Sequence, residues 1–301
     1  MAVDISVVIV NYNVKSLIKD CIKSIKEYTT GVNYEIIVVD NASEDISELQ
    51  SSTVRTLQLD ENLGFGRANN VGAKMAKGNV LFFLNPDTIF VSNAISILYE
   101  ALTTIPECGV CGANLYDADY KPAHSYFYCT MSLKHAFRCL IKSASKINHI
   151  SNQHNFSDTI KCVEYITGAD LMISKDLFNE IGGFNDGIFM YYEDVDLCVK
   201  VRHMHKKCYS IPQAKILHLE GQSFNPIQNN LDYINKSKLR MTSDSVAVFL
   251  RSNYKKSHYK FIIFVNILIL WGKKAVLRIL SKNQSGVIRQ LEFFKYIKGK
   301  L

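Results

Sequence analysis

The stretch VLFFLNPDTI (residues 80–89) is an apolar run cut short by Asn-Pro-Asp. Val80, Leu81, Phe82, Phe83 and Leu84 read as a short strand buried on both faces. Pro86 ends the strand and holds Asn85 extended, so a single carboxylate, Asp87, is delivered just past the C-terminal end. The flanking chain repeats the theme. ISVVIVNYN (5–13), YEIIVVD (34–40) and VRTLQL (54–59) are further apolar strands. Residues 16–28 carry Ile18, Cys21, Ile22 and Ile25 at helical spacing behind Ser16 as an N-cap, and GRANNVGAKMAKG (66–78) reads as a helix closed by Gly78. Apolar strands alternating with helices predict an α/β fold: a mostly parallel central sheet flanked by helices. Such sheets bind ligands beyond the carboxyl ends of their strands.

Polar residues gather at those ends. Asn11, Tyr12 and Asn13 follow the first strand; Asp40, Asn41 and Asp45 follow the second; Asn62 and Gly64 the third; Asn85 and Asp87 the fourth. Loops are polar anyway, so each group alone is bland; four on one edge predict a site. A carboxylate fixed at a strand end suits a hard divalent cation, although Asn-Pro-Asp-Thr is also an ordinary turn sequence. NLGFGRANNVG (62–72) holds GxG without GxGxxG and follows the third strand, not the first, which argues against a dinucleotide fold; no Walker A sequence occurs.

Beyond residue 160, CVEYITGADLMIS (162–174) reads as a strand pair with a glycine break, followed by DLFNEIGGFND (176–186). In MYYEDVDLCVKVRH (190–203), Glu193, Asp194 and Asp196 open a helix, where the dipole favours acids. Carboxylates beside Tyr191 and Tyr192 can also acquire the raised pKa of a general base. CYSIPQAKILHLEG (208–221) is strand-like, and His218 within it would, alone, be a core histidine. Residues 114–160 are aromatic and basic without a period, and are expected to form an acceptor-side region or helical insert.

With 301 residues, 48 % of them hydrophobic, and only five prolines, the chain suits one large domain, or a domain with an appendage, and excludes disorder. MAVDISVVIVNYN lacks the basic start of a signal peptide, and eight cysteines in such a chain suggest a reducing compartment without a disulfide framework. Cys108 and Cys111 (CGVC), with no second CxxC, are expected to be buried thiols, and the Asn-X-Ser triplets at Asn41, Asn155, Asn235 and Asn283 to be chance matches. Charge is split unevenly. Residues 1–233 hold 20 Lys/Arg against 26 Asp/Glu, whereas residues 234–301 hold 15 against 2, a net +13. Within the basic tail, residues 261–271 (FIIFVNILILW) are apolar except for Asn266, and Lys255, Lys256, Lys260, Lys273, Lys274 and Arg278 flank them. The run is shorter than the roughly 20 residues that span a bilayer. It suits a helix lying on an anionic membrane surface; the alternative is a basic helix packed on the domain. The expected organisation is a domain over residues 1–240 and a helical, basic, membrane-associating segment over residues 241–301.

Taken in order, SVVIVNYN, IIVVDNASED, NLGFGRANNVG, LFFLNPD, TGADLMIS, GGFNDGIFMYYEDVDLCVKVR and ILHLEGQS resemble a bacterial family-2 glycosyltransferase of the GT-A fold, in its rhamnosyltransferase-like branch. The resemblance covers roughly residues 4–222. It implies that Asn11, Tyr12 and Asn13 lie along the nucleotide, that Asp40 meets its base or ribose, and that Asn41 and Asp45 share that loop. Asn69 and the Gly64–Gly66 loop would cover the nucleotide. Asp87 would be the carboxylate for Mn²⁺ or Mg²⁺, with Asn85 in place of the first Asp of an Asp-X-Asp pattern. His218 would complete the metal or diphosphate site, Asp194 would be the general base, and Glu193 would stand beside it. The implied activity is inverting transfer by one displacement, from a nucleotide-sugar donor (dTDP-rhamnose or a UDP-sugar) to a hydroxyl of a growing cell-surface polysaccharide or lipid-linked saccharide acceptor. The expected setting is cytoplasmic, peripheral on the inner face of the cytoplasmic membrane, with no nucleic-acid partner. A binding protein without catalysis would lack Asp87 or Asp194, and both are present. A nucleotidyltransferase would carry a glycine-rich basic signature soon after the first strand, and none is there.

Overall fold

The computed structural model describes residues 2–43, 45–127, 153–219, 231–280 and 283–301, without side chains for 231–236. Much of the unreadable 114–160 region, namely 128–152, lies outside the described residues. Among the described residues, those up to Phe127 together with 153–189 and 193–219 form one compact unit; 190–192 and the residues from Leu231 onward form a second.

The first unit is built on strands β1 (Ile5–Asn11), β2 (Tyr34–Asp40), β3 (Val54–Gln58), β4 (Val80–Leu84), β5 (Thr88–Phe90), β6 (Cys108–Tyr116), β7 (Tyr126–Phe127), β8 (Lys161–Val163), β9 (Tyr165–Ile166), β10 (Asp170–Ser174) and β11 (Lys207–His218). Its helices are α1 (Lys15–Tyr28), α2 (Phe65–Met75), α3 (Ala94–Thr104), α4 (Lys175–Glu180) and α5 (Glu193–His203). The main sheet runs β3-β2-β1-β4-β10-β6-β11-β5, with β8 also on β11; β7 and β9 form a separate pair. β1 to β4 are mutually parallel, as are β6 and β11, whereas β10 runs antiparallel between β4 and β6.

Period-2 alternation sorts the apolar side chains onto two faces. Ile5, Val7, Ile9, Ile36, Val38, Phe82 and Leu84 pack with Ile18, Cys21 and Ile25 of α1 and with Ile95 and Leu98 of α3. Val8, Val10, Ile37, Val39, Leu81 and Phe83 pack with Ala68 and Ala73 of α2 and with Leu197, Cys198 and Val201 of α5. Two expected helix ends move. Ser16 is not the cap of α1: the helix starts a residue earlier, and the Val14 N–H is taken by Asn11 Oδ1 at 3.1 Å. α2 ends at Met75, before Gly78. The six described cysteines are free, with Cys111 buried and Cys108 half-buried.

The second unit holds α6 (Leu231–Asn253), α7 (Lys256–Ile279) and α8 (Ser285–Lys300). α6 runs unbroken through residues 240 and 241, where the domain boundary was expected. Leu270 of α7 packs with Val287 and Leu291 of α8. Lys300 pairs with Asp244 at 3.0 Å, and the Tyr192 ring lies 5.7 Å from that of Phe249. No described helix is long and apolar enough to cross a membrane.

Candidate active site

At the C-terminal edge of the sheet, Asn11, Asp40 and Gln58 stand in register on β1, β2 and β3. Asp40 is fully buried. Asn11 Nδ2 donates to its Oδ1 at 2.6 Å and Ser43 Oγ does so at 2.5 Å; the Ser43 N–H donates to its Oδ2 at 2.8 Å, and Gln58 Nε2 donates to the same oxygen. Ser43 also accepts the Asn13 N–H at 2.9 Å, which anchors Asn13 at φ 60°. Asn41 grips the next loop: its Oδ1 accepts the Leu63 N–H at 2.8 Å and its Nδ2 donates to Asn62 at 2.9 Å. Tyr12 is exposed. Asp45 stays apart from this cluster, because Ser47 donates to both of its carboxylate oxygens at 2.8 and 3.0 Å and so holds its carboxyl below the usual range.

The Gly64–Gly66 loop, expected as a cover, is fastened inward. Gly64 has φ 81°, a Cβ there would stand 2.2 Å from the Phe189 carbonyl oxygen, and that oxygen accepts the Phe65 N–H at 3.0 Å. Gly66 packs against Phe184 and Glu193. Asn69, almost wholly buried, donates to the Phe65 carbonyl and leaves Oδ1 without a partner among the described residues.

Past β4, Asp87 is buried. The β11 end comes to it through the register of His218 with Thr88. The Leu219 N–H donates to the Asp87 carbonyl at 2.9 Å, and His218 Nε2 lies 3.3 Å from Asp87 Oδ1 and 3.2 Å from Asn85 Nδ2. Residues 131 positions apart in sequence thus converge. No group of three or more His, Cys, Asp or Glu side chains suited to a metal occurs among the described residues. One carboxylate and one imidazole fit a divalent ion whose remaining shell comes from phosphate oxygens and water, rather than one caged by protein.

The acidic pair is tied to the same edge by the segment before β10. The Gly168 N–H donates to Asp194 Oδ2 at 2.9 Å, while the Ala169 carbonyl accepts the Asn85 N–H at 2.9 Å. The Val195 N–H holds Asp194 Oδ1 at 2.8 Å. Burial raises the Asp194 pKa against these donors; burial, then repulsion from Asp194, pushes Glu193 up to about 8. With two N–H donors on Asp194 and a buried Glu193 Oε2 that has no partner among the described residues, a shared proton belongs on Glu193 and the negative charge on Asp194. Asp196, by contrast, pairs with Lys200 at 3.2 Å within α5.

Ser43, Gln58, Gly168 and Ala169 escaped sequence reasoning. Of these, only the glycine in TGAD carried a local signal; the others take their place from strand register and loop closure.

The glycosyl transferase family 2 model matches residues 6–150. Among curated relatives, the glycosyltransferase GlyG of Streptococcus pneumoniae is 30 % identical over 184 residues, 59 % of this chain and 58 % of its own length. The N-acetylglucosaminyl-diphospho-decaprenol L-rhamnosyltransferase of Mycobacterium tuberculosis is 24 % identical over 206 residues, 62 % of this chain and 67 % of its own. The chain therefore spans less than two thirds of GlyG. The mannosyltransferase PcManGT of Pyrobaculum calidifontis, solved with GDP-Man and Mn²⁺, superposes with a TM-score of 0.57 at 14 % identity, covering 97 % of this chain and 84 % of that one. The fold is GT-A.

Proposed function

We propose that this chain, which the glycosyl transferase family 2 model matches over residues 6–150, transfers a sugar from a nucleoside-diphosphate sugar to a hydroxyl of a saccharide acceptor, inverting the anomeric carbon in one displacement. The observation that carries the reading is the segment Gly168–Ala169, which holds Asp194 on one side and Asn85, two residues from Asp87, on the other. That link supports a reading in which the base and the diphosphate site lie close together at this edge of the sheet. Asp40, Asn11, Asn13 and Asn41 form the nucleotide end, with Asn69 and Tyr12 beside it, and Asp87 with His218 forms the diphosphate end. A bound Mn²⁺ or Mg²⁺ would neutralise charge developing on the leaving diphosphate. Asp194 takes the proton of the acceptor hydroxyl as its oxygen bonds to the anomeric carbon and the bond from that carbon to the diphosphate breaks. Glu193, holding its own proton, keeps a second negative charge away from the base. The donor we assign is dTDP-rhamnose or a UDP-sugar and the acceptor a growing cell-surface polysaccharide or lipid-linked saccharide; the L-rhamnosyltransferase named above, whose name gives a decaprenol-linked N-acetylglucosaminyl diphosphate, supports the lipid-linked form. The basic helices of the second unit, the expected 241–301 segment together with the α6 turns before it, would hold the enzyme on the inner face of the cytoplasmic membrane.

Two variants test the core of this reading by calorimetry and sugar transfer. Asp194→Asn should lower transfer by about 10² to 10⁴ while donor binding persists. Asp87→Ala should abolish the Mn²⁺-dependent part of donor binding. Transfer by Asp194→Asn within tenfold of the parent chain, or metal-dependent binding intact in Asp87→Ala, would refute the assigned roles.

A further inference from the structure

A carboxylate offers about four lone-pair positions, and the two oxygens of Asp40 already receive four hydrogen bonds, from Asn11, from Ser43 twice and from Gln58. Fully buried as well, Asp40 has no capacity left to read a nucleobase directly. Gln58 differs in both respects. It is exposed, at the C-terminal end of β3, in register with Asp40. Because a carboxylate only accepts, Gln58 must turn its Nε2 toward Asp40. That fixes Oε1 as the end facing away, and among the described residues Oε1 accepts nothing. An exposed amide with one end locked to a buried anion is an acceptor of set direction.

We propose that Gln58, not Asp40, reads the donor's nucleobase: Oε1 accepts the imide N3–H of uracil or thymine. Cytosine presents a bare lone pair at that ring position and would face Oε1 acceptor to acceptor, so the site selects against it. Asp40 is then a positioning residue whose negative charge keeps the Gln58 amide from flipping. The inference rests on the nucleotide end lying at β1–β3, as in the proposed function.

Titration of the full chain with UDP, TDP and CDP, in the presence of Mn²⁺, tests both layers separately. The parent chain should bind UDP and TDP at least about tenfold more tightly than CDP, the worth of one well-aligned hydrogen bond. Gln58→Met keeps the length of the side chain without an acceptor; UDP and TDP should weaken until all three nucleotides agree within about threefold. Gln58→Ala should give the same compression, and unchanged thermal melting of either variant confirms folding. Equal weakening of all three with the ratio intact would mean that Gln58 only supports Asp40, and would overturn the assignment. An unchanged ratio with unchanged affinities would overturn it too. If the parent chain binds none of the three nucleotides, the donor-site reading itself falls, and this inference with it.

Discussion

Glu193 and Asp194 show how backbone N–H donors can divide labour between two adjacent acids. Asp194 has the Gly168 and Val195 amides, and Glu193 has an unpartnered buried oxygen. Glu193 rises from about 4.5 to about 8 on folding, so between those pH values the folded chain holds a proton that the unfolded chain has released. Stability must therefore fall as pH rises through that window. Glu193→Gln removes the titration while keeping the shape. Its melting temperature should match the parent's near pH 4.5 and exceed it increasingly toward pH 8; parallel curves over that range would contradict the pairing. Both acids, together with Asp40, Asp87 and His218, were picked out in the sequence as candidates. What was not legible was partnership. Asp45 looked equivalent to Asn41 in the same loop, yet Ser47, two residues on, occupies both of its oxygens.

Among the elements, β1, β2 and β4 were legible because each holds four or more consecutive apolar residues, long enough to declare itself, whereas β3 (VRTLQ) is mostly polar and was legible only from Val54, Leu57 and its place between two helical stretches. β7, β8 and β9 have two or three residues and carry no period. The reversed direction of β10 depends on which neighbours it finds, information that resides in tertiary pairing. That reversal matters to the site, since it brings Gly168 and Ala169 to the edge where the parallel strands end. The turn into α2 is an equally strict device. Gly64 combines a left-handed backbone with a carbonyl oxygen where a Cβ would stand. Gly64→Ala should cost at least about 2 kcal/mol, the backbone strain alone contributing about 1 to 2. At roughly 2–4 °C per kcal/mol for a chain of this size, melting should fall by 4 °C or more. Donor binding should weaken as well, because the loop of Asn62 and Leu63 that Asn41 grips is displaced. A melting temperature unchanged to within a degree would show that the turn tolerates a side chain.

On the scale of the whole molecule, the uneven charge finds its counterpart in the faces of α7. The apolar run at 261–271 supported two readings, packing or membrane contact, and in α7 part of the run is buried and part exposed. Ile262, Ile263, Asn266 and Leu270 are buried; Phe261, Phe264, Leu268 and Trp271 are each about half exposed, 51 to 55 %. The exposed set recurs at spacings of three and four, a stripe along one face. Asn266, the polar interruption, is buried and bonds the Ile262 carbonyl at 2.8 Å, so the stripe itself is unbroken. Lys274 and Lys295 stand over the Trp271 ring at 5.7 and 5.4 Å, which puts cations at the margin of the apolar band, as on a helix lying at an anionic interface. Each such cation contributes about 1 kcal/mol near anionic lipid. The protein should therefore sediment with phosphatidylserine vesicles at low ionic strength and be released as salt shortens the screening length from about 30 Å at 0.01 M toward about 3 Å at 1 M. Replacing Phe264 and Trp271 with Ser should weaken the association at every salt concentration, since the apolar contribution is not screened. If the stripe instead joins two copies of the chain, salt acts in the opposite direction: screening a net charge of +13 on each tail promotes self-association, and analytical ultracentrifugation without vesicles would show dimers growing with ionic strength. That result, or sedimentation with neutral phosphatidylcholine equal to that with phosphatidylserine, would rule out the anionic surface as the partner of this face.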